Sequence, residues 1–130
     1  MIYLDTSAFL KLVLDEPQST ALHDYLGDVD APRFVSSTLL AVEARRGTLR
    51  ASVARLPRVD LMLATITQLE ISGPVVESAS RFPDPLLRSL DAIHLATALL
   101  IREELDVLLT YDERLSRAAN MHGIPTTAPA

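Results

Sequence analysis

The sequence predicts an α/β fold, a three-layer α/β/α sandwich with a mostly parallel central sheet. Three observations carry the prediction. Short apolar runs such as "IYL", "RFVSS" and "DVLLTY" have strand length. Stretches with helical length and period stand between them. Strands separated by helices join through right-handed crossovers, which gives parallel pairing with helices on both faces.

The elements follow in order. "IYL" (2–4) reads as the first strand, and "SAFLKLVLD" (7–15) as a helix that starts at once, with Thr6 or Ser7 as its cap. "QSTALHDYL" (18–26) is a second short helix and "RFVSS" (33–37) a second strand. "STLLAVEARRGTLRASVARL" (37–56) reads as one long helix, weakened at Gly47 by about 1 kcal/mol relative to alanine. "RVDLMLATI" (58–66) continues as helix, and "TQLEI" (67–71) is a third strand with poor alternation. "GPVVESASRF" (73–82) is a helix with Pro74 at its first position. "SLDAIHLATALLIREEL" (89–105) is the clearest helix, with Ser89 as cap and Asp91 in its first turn. "DVLLTY" (106–111) is a buried strand, "DERLSRAANMHG" (112–123) a helix ending at Gly123, and "IPTTA" (124–128) a short last strand. No repeat, low-complexity tract or linker divides the chain, so residues 1–130 are expected to form a single domain.

A chain of 130 residues that is 48% hydrophobic can build a full core, burying roughly two-thirds of its unfolded surface. Cysteine is absent, which excludes disulfides, thiolate nucleophiles and cysteine-bound metal. Asp5 interrupts the N-terminal apolar run before a targeting segment forms. "AIHLATALLI" (92–101) is too short to span a bilayer. The expectation is a soluble, cytoplasmic protein without membrane contact. The net charge of −5 argues, on average, against a nucleic-acid binder. That average hides a basic segment, because residues 33–58 hold six arginines and one acid, Glu43.

Four acids break the apolar pattern. Asp5 follows the first strand and Asp112 the strand "DVLLTY", so both stand at the carboxyl edge of the sheet, where ligands bind in such folds. Glu43 lies three and four residues after Leu40 and Leu39, on their helical face. Asp91 shares a stripe with Leu95 and Ala98. Each acid has a plain alternative: Asp5 and Asp112 as helix starters, Glu43 paired with Arg46 or Arg50, Asp91 set at the positive end of its helix. Converging acids do not all ionise unaided, since two charges 4 Å apart repel by about 4 kcal/mol at an effective dielectric of 20. A cation relieves that repulsion, and oxygen-only ligands suit Mg²⁺ or Mn²⁺. Such a centre lowers the pKa of a bound water and stabilises a phosphoryl transition state.

The stretches "YLDTSAFLK", "STLLAVEARR", "LRSLDAIHLATA" and "LLTYDERLSRAA", in that order, resemble the PIN-domain nucleases, and within them the VapC-type toxins of toxin–antitoxin pairs. The resemblance spans nearly the whole chain. It implies a PIN-like α/β/α sandwich, and an acidic metal site formed by Asp5, Glu43, Asp91 and Asp112. It also implies RNA cleavage dependent on Mg²⁺ or Mn²⁺, a homodimer, and inhibition by a small VapB-type antitoxin covering the acidic cleft. The family often carries a further acid or polar residue shortly after the fourth acid; here Glu113 and Ser116 both stand at that place. Thr6, Ser7 and Ser116 are auxiliary candidates, with helix capping the alternative for the first two. Arg46 and Arg50 are candidates for phosphate contact, against a plain solvated arginine face. His94, three residues after Asp91, reads more readily as a core or rim histidine than as a functional one, and His23 and His122 read as surface residues.

Rival readings fit less well. A haloacid-dehalogenase-type phosphatase needs a second acid two residues after the first, where this chain has Ser7, and a later lysine, whereas the one lysine is Lys11. A phospho-receiver domain needs a lysine near its last strand, and "MHGIPTTAPA" has none. A PIN-like fold kept only as an inactive binding module remains the third alternative.

Overall fold

A computed structural model describes residues 1–130. The elements run β1 (Ile2–Leu4), α1 (Thr6–Val13), α2 (Ser19–Gly27), β2 (Phe34–Ser37), α3 (Leu39–Ala51), a 3-10 turn (Val53–Arg55), α4 (Leu56–Leu63), β3 (Ile66–Leu69), α5 (Gly73–Ser80), α6 (Ser89–Leu100), β4 (Val107–Leu109), α7 (Glu113–Met121) and β5 (Thr126–Thr127). The five strands form one sheet in the order β3-β2-β1-β4-β5. Every pairing in it is parallel, so the expected mostly parallel sheet is wholly parallel. β1 lies at the centre, with Tyr3 opposite Val35 on one side and Leu108 on the other.

Strand alternation sends successive side chains to opposite faces. Ile2 and Leu4 join Leu109 and the inner faces of α1 to α4, through Phe9, Leu12, Leu22, Leu40, Ala44, Val59 and Leu63. Tyr3, Val35 and Leu108 face the other way, onto Leu95 and Ala98 of α6 and Leu115, Ala118 and Ala119 of α7. Each buried Leu or Phe contributes about 1.5–3 kcal/mol by leaving water, which makes these two helix layers the main source of stability. α5 packs on α6 and completes the second layer.

Several boundaries differ from the sequence expectation, among them β3, which runs over Ile66–Leu69 and so takes in Ile66, expected as the end of a helix. Asp5, rather than Thr6 or Ser7, caps α1: its backbone is extended and its carboxylate accepts the Ala8 N–H. The stretch expected as one helix over 37–56 breaks at Ser52, whose φ of −163° and ψ of 96° are extended. No glycine or proline stands there. Tertiary contacts hold the break instead, since Arg55 donates to the Val13 carbonyl at 3.0 Å and to Asp15 at 2.8 Å, tying the turn to the end of α1. α6 stops at Leu100 rather than running to Leu105, and its cap position is Arg88 rather than Ser89. Arg102 there donates to the His122 carbonyl at 2.8 Å, which turns the chain towards β4. α7 ends as expected, with Gly123 at φ +79° and the Ile124 N–H donating to the Ala119 carbonyl at 3.0 Å.

No helix is long and apolar enough to cross a membrane. Gly47, the suspected weak point of α3, lies against Leu10, whose Cδ1 would stand 3.2 Å from an added Cβ. The missing side chain lets α1 and α3 approach, and these two helices carry two of the acids.

Candidate active site

Parallel pairing brings the carboxyl ends of β1 and β4 side by side, and α1 and α7 start there. Asp5 therefore follows β1 directly, and Asp112 follows β4 after Thr110 and Tyr111. Asp91 sits in the first turn of α6. Three of the four acids thus occupy helix N-terminal positions, where the positive end of the helix dipole favours negative charge. Glu43 comes from the second turn of α3.

Asp5 is 2% exposed and fully engaged. Ser7 Oγ donates to its carboxylate at 2.7 Å, the Ala8 N–H donates to Oδ1 at 2.9 Å, and Thr110 Oγ1 donates to Oδ2. Ser7 Oγ in turn accepts the Tyr111 N–H at 2.8 Å. Burial raises the pKa of Asp5 and these bonds act against it. Asp112 caps α7, accepting the Arg114 and Leu115 N–H groups at 2.9 and 3.1 Å. The capping alternative for Asp5 and Asp112 is therefore real, and it is how the two carboxylates are held at the sheet edge.

Asp91 carries the electrostatic signature of the site. Burial first, then the charges of Asp112 and Asp5, push its carboxyl up to about 6, with Glu43 adding to the shift and His94 opposing it. The other three acids thus bear on Asp91, each from a different element of the fold.

Glu43 pairs with neither arginine, and its ion pair is with His94. Its Oε1 accepts from Thr6 Oγ1 at 2.6 Å and from His94 Nε2 at 2.8 Å. Burial pushes the carboxyl up, but these two hydrogen bonds outweigh it and hold the group below the usual glutamate range. His94 is 1% exposed, and its Nδ1 lies 2.8 Å from the Tyr3 hydroxyl. The tyrosine is the inward-facing residue of the central strand, and burial raises its pKa so that the O–H is kept.

The auxiliary candidates divide. Thr6 contacts Glu43 and Ser7 contacts Asp5, so both hydroxyls serve the acids. Ser116 Oγ is paired with Thr126 Oγ1 at 2.8 Å, and Glu113 is exposed; neither side chain is hydrogen-bonded to the four acids, though both border a hollow of about 320 Å³ beside Asp112. On the Glu43 side a second cleft of about 320 Å³ is lined by Thr6, Glu43, Arg46 and Arg50. Arg45 pairs with Asp60 and Arg55 with Asp15. Arg46 and Arg50 are in no ion pair and leave their charges to the cleft.

Two contributors escaped the sequence. Thr110 was hidden in an apolar strand run, and the hydroxyl at its end was the available signal. His94 reads as a core or rim histidine from the sequence, because its contact with Glu43 depends on how α3 and α6 meet.

The donor set fits a hard divalent cation, being carboxylate oxygen with excess negative charge. No three Asp, Glu or His side chains stand close enough to enclose an ion by themselves. Mg²⁺ keeps several of its own waters and needs only one or two carboxylates. An open cluster meets that requirement better than a closed cage.

A family model described as PIN domain matches residues 2–121. Ribonuclease VapC35 of Mycobacterium tuberculosis is 43% identical over 131 residues, covering 99% of this chain and 97% of its own length. Among solved structures, M. tuberculosis VapC20, described as a sarcin–ricin-loop cleaving toxin, is similar with a TM-score of 0.80 at 14% identity, covering 99% of this chain and 100% of its own. A toxin–antitoxin complex from Klebsiella pneumoniae gives 0.75 at 22% identity, covering 100% and 98%. At such identities these structures speak for the fold.

Proposed function

The chain belongs to the PIN-domain family, and on that premise we propose that it is a VapC-type toxin, a divalent-metal-dependent ribonuclease. The observation that carries the reading is Asp91, whose carboxyl is raised to about 6 among three other acids at the sheet edge. Such a cluster holds a standing deficit of positive charge.

Asp5, Glu43, Asp91 and Asp112 would hold Mg²⁺ or Mn²⁺. Bound there, the ion supplies activation of water at neutral pH and stabilisation of charge on a phosphodiester in displacement. The protein's own part is orientation. Asp5 is fixed by Ser7, Ala8 and Thr110, and Asp112 by the start of α7. Glu43 keeps a full negative charge near neutral pH, because its two donors favour the carboxylate. It can therefore accept a proton or orient a water without first losing one of its own.

Arg46 and Arg50 would bind phosphates of the RNA strand, through charge-assisted hydrogen bonds. The support is their unpaired state in the cleft beside Glu43. Val42 and Leu90, exposed at 61% and 47%, border the same cleft and offer apolar surface to a base. The basic segment read from the sequence thus gains a use that the net charge of −5 conceals.

As a VapC-type toxin, the protein works in the cytoplasm as a homodimer, held inactive by a VapB-type antitoxin over the acidic cleft. The solved toxin–antitoxin complexes of like fold are the support for the partner. An arginine of the antitoxin among the carboxylates would satisfy them in place of the metal.

The test is cleavage of purified RNA with Mn²⁺, with EDTA, and with the Asp91→Asn protein. Cleavage is expected only in the first. Undiminished cleavage by a folded Asp91→Asn protein would falsify the acidic-site mechanism, and RNA left intact by the parent protein with metal would refute the nuclease reading.

A further inference from the structure

Glu43 uses its two carboxylate oxygens unequally. Both protein donors, Thr6 Oγ1 and His94 Nε2, converge on Oε1 at 2.6 and 2.8 Å. Oε2 has no protein partner, and it is not among the buried polar atoms that lack one, so it is open to solvent. The glutamate side chain is 21% exposed and the His94 side chain 1%. One oxygen is therefore anchored in the protein while the other faces the cleft.

The anchor is itself anchored. His94 Nδ1 lies 2.8 Å from the Tyr3 hydroxyl, and the rings meet edge to face at 5.8 Å and 87°. Glu43 is a carboxylate and only accepts, so Nε2 carries the proton that lies between them. Tyr3 is 0% exposed at the centre of the sheet. A chain of contacts thus runs from the middle of β1 through α6 to a side chain of α3. Two donors on one oxygen restrict the turning of the carboxylate that would move the other.

We propose that His94, clamped by Tyr3, is a positioning residue that holds Oε1 of Glu43 and so presents Oε2 to the metal or to the attacking water. The inference rests on the nuclease reading above. A nearly buried histidine in this place is neither a simple core filler nor a group that touches substrate.

The effect expected is on turnover rather than binding, because misplacing a reacting group by about 1 Å costs up to about 100-fold. His94→Leu keeps approximate volume and removes the donor. His94→Gln keeps an amide N–H able to reach Oε1. Single-turnover and steady-state cleavage of RNA with Mn²⁺ should show kcat reduced about 10- to 100-fold in His94→Leu with KM within about twofold. Most of the loss should be recovered in His94→Gln, and Tyr3→Phe should give a smaller loss of the same kind. Nitrogen NMR of the imidazole in the metal-free protein provides a reading independent of activity, and should show a proton on Nε2. Full kcat in folded His94→Leu overturns the proposal. So does a loss that His94→Gln leaves unrepaired, or one confined to KM. If His94→Leu does not fold, Tyr3→Phe decides, and full kcat in that variant overturns the proposal. If the parent protein cleaves no RNA, the nuclease reading fails and the NMR result decides the clamp alone: Nε2–H supports it, and a bare Nε2 overturns it.

Discussion

Thr110 joins Asp5 to Asp112. Its Oγ1 donates to Asp5 Oδ2 and accepts the Asp112 backbone N–H at 3.1 Å. One hydroxyl thereby sets the position of a buried acid and the start of the helix that carries another.

Thr110→Val keeps the shape and deletes both bonds. It leaves the Asp112 N–H unsatisfied and Asp5 Oδ2 with Ser7 Oγ alone, at 2.9 Å, which should cost about 1–3 kcal/mol of stability. Supporting residues of this kind are worth about 10–100-fold in activity or metal affinity. Urea unfolding and Mn²⁺ titration calorimetry would measure the two effects.

Asp5→Asn and Asp91→Asn should both abolish cleavage, by on the order of 100-fold or more, yet move stability in opposite directions. Asp5 receives hydroxyl and N–H donors, so an amide NH₂ placed among them should destabilise the fold by about 1–3 kcal/mol. Asp91 is repelled by its neighbours, so its neutral replacement should stabilise the metal-free protein at pH 7.5. Paired urea curves test the contrast. A destabilised Asp91→Asn protein would count against the clustered-charge description.

The same repulsion gives a pH dependence. Asp91 ionises near 3.8 in the unfolded chain and near 6 in the folded one. Between these values the folded state binds more protons, so this contribution is full below pH 4 and is lost as pH rises to about 6. Solvent screening reduces it to on the order of 1–2 kcal/mol. Glu43, held low, runs the other way, adding stability above its unfolded pKa of 4.5 that is lost in acid. The difference between the parent and Asp91→Asn, followed from pH 4 to 7, isolates the first effect.

Mn²⁺ should raise the unfolding temperature of the parent protein at pH 7.5 and much less at pH 5, where Asp91 holds its proton. Mass action relates the gain to the ratio of free ion to its dissociation constant. Chelation should reverse it. Equal shifts at the two pH values would indicate ions bound away from the cluster.

Arg46→Ala and Arg50→Ala should raise KM for RNA severalfold while leaving kcat near its parent value. Each should flatten the salt dependence of binding by about 0.7 in log–log slope per single-stranded phosphate contact. Filter binding to a short RNA across a salt series would show it. Unaltered slopes would return both residues to the solvated surface.

The four acids were legible because each interrupts an apolar pattern whose period was already visible. A carboxylate at the end of "IYL" or in the stripe of "SLDAIHLATALL" has few structural reasons to be there. Strand positions were legible for the same reason. What was hidden depends on long-range meetings. Ser52 breaks a helix that local preference would continue, because Arg55 is held by the end of α1. His94 looked like core, and it is core on one side while its Nε2 faces Glu43 on the other. Ser7 and Thr6 looked like helix caps, and Asp5 took that role because its extended backbone let its carboxylate reach the Ala8 N–H.

β1 precedes β4 by about a hundred residues and lies in the middle of the sheet, yet Leu4 pairs with Leu109 and Asp5 is bonded to Thr110. A ribosome that has released only the first three-quarters of the chain has made Asp5, Glu43 and Asp91 without the strand that fixes the first of them. Closing a loop of about a hundred residues is a late and slow event in folding. A product stalled before β4 therefore carries a central strand with one unpaired edge and an incomplete acid cluster. The cell meets the finished cluster only after β4 and the start of α7 have been made.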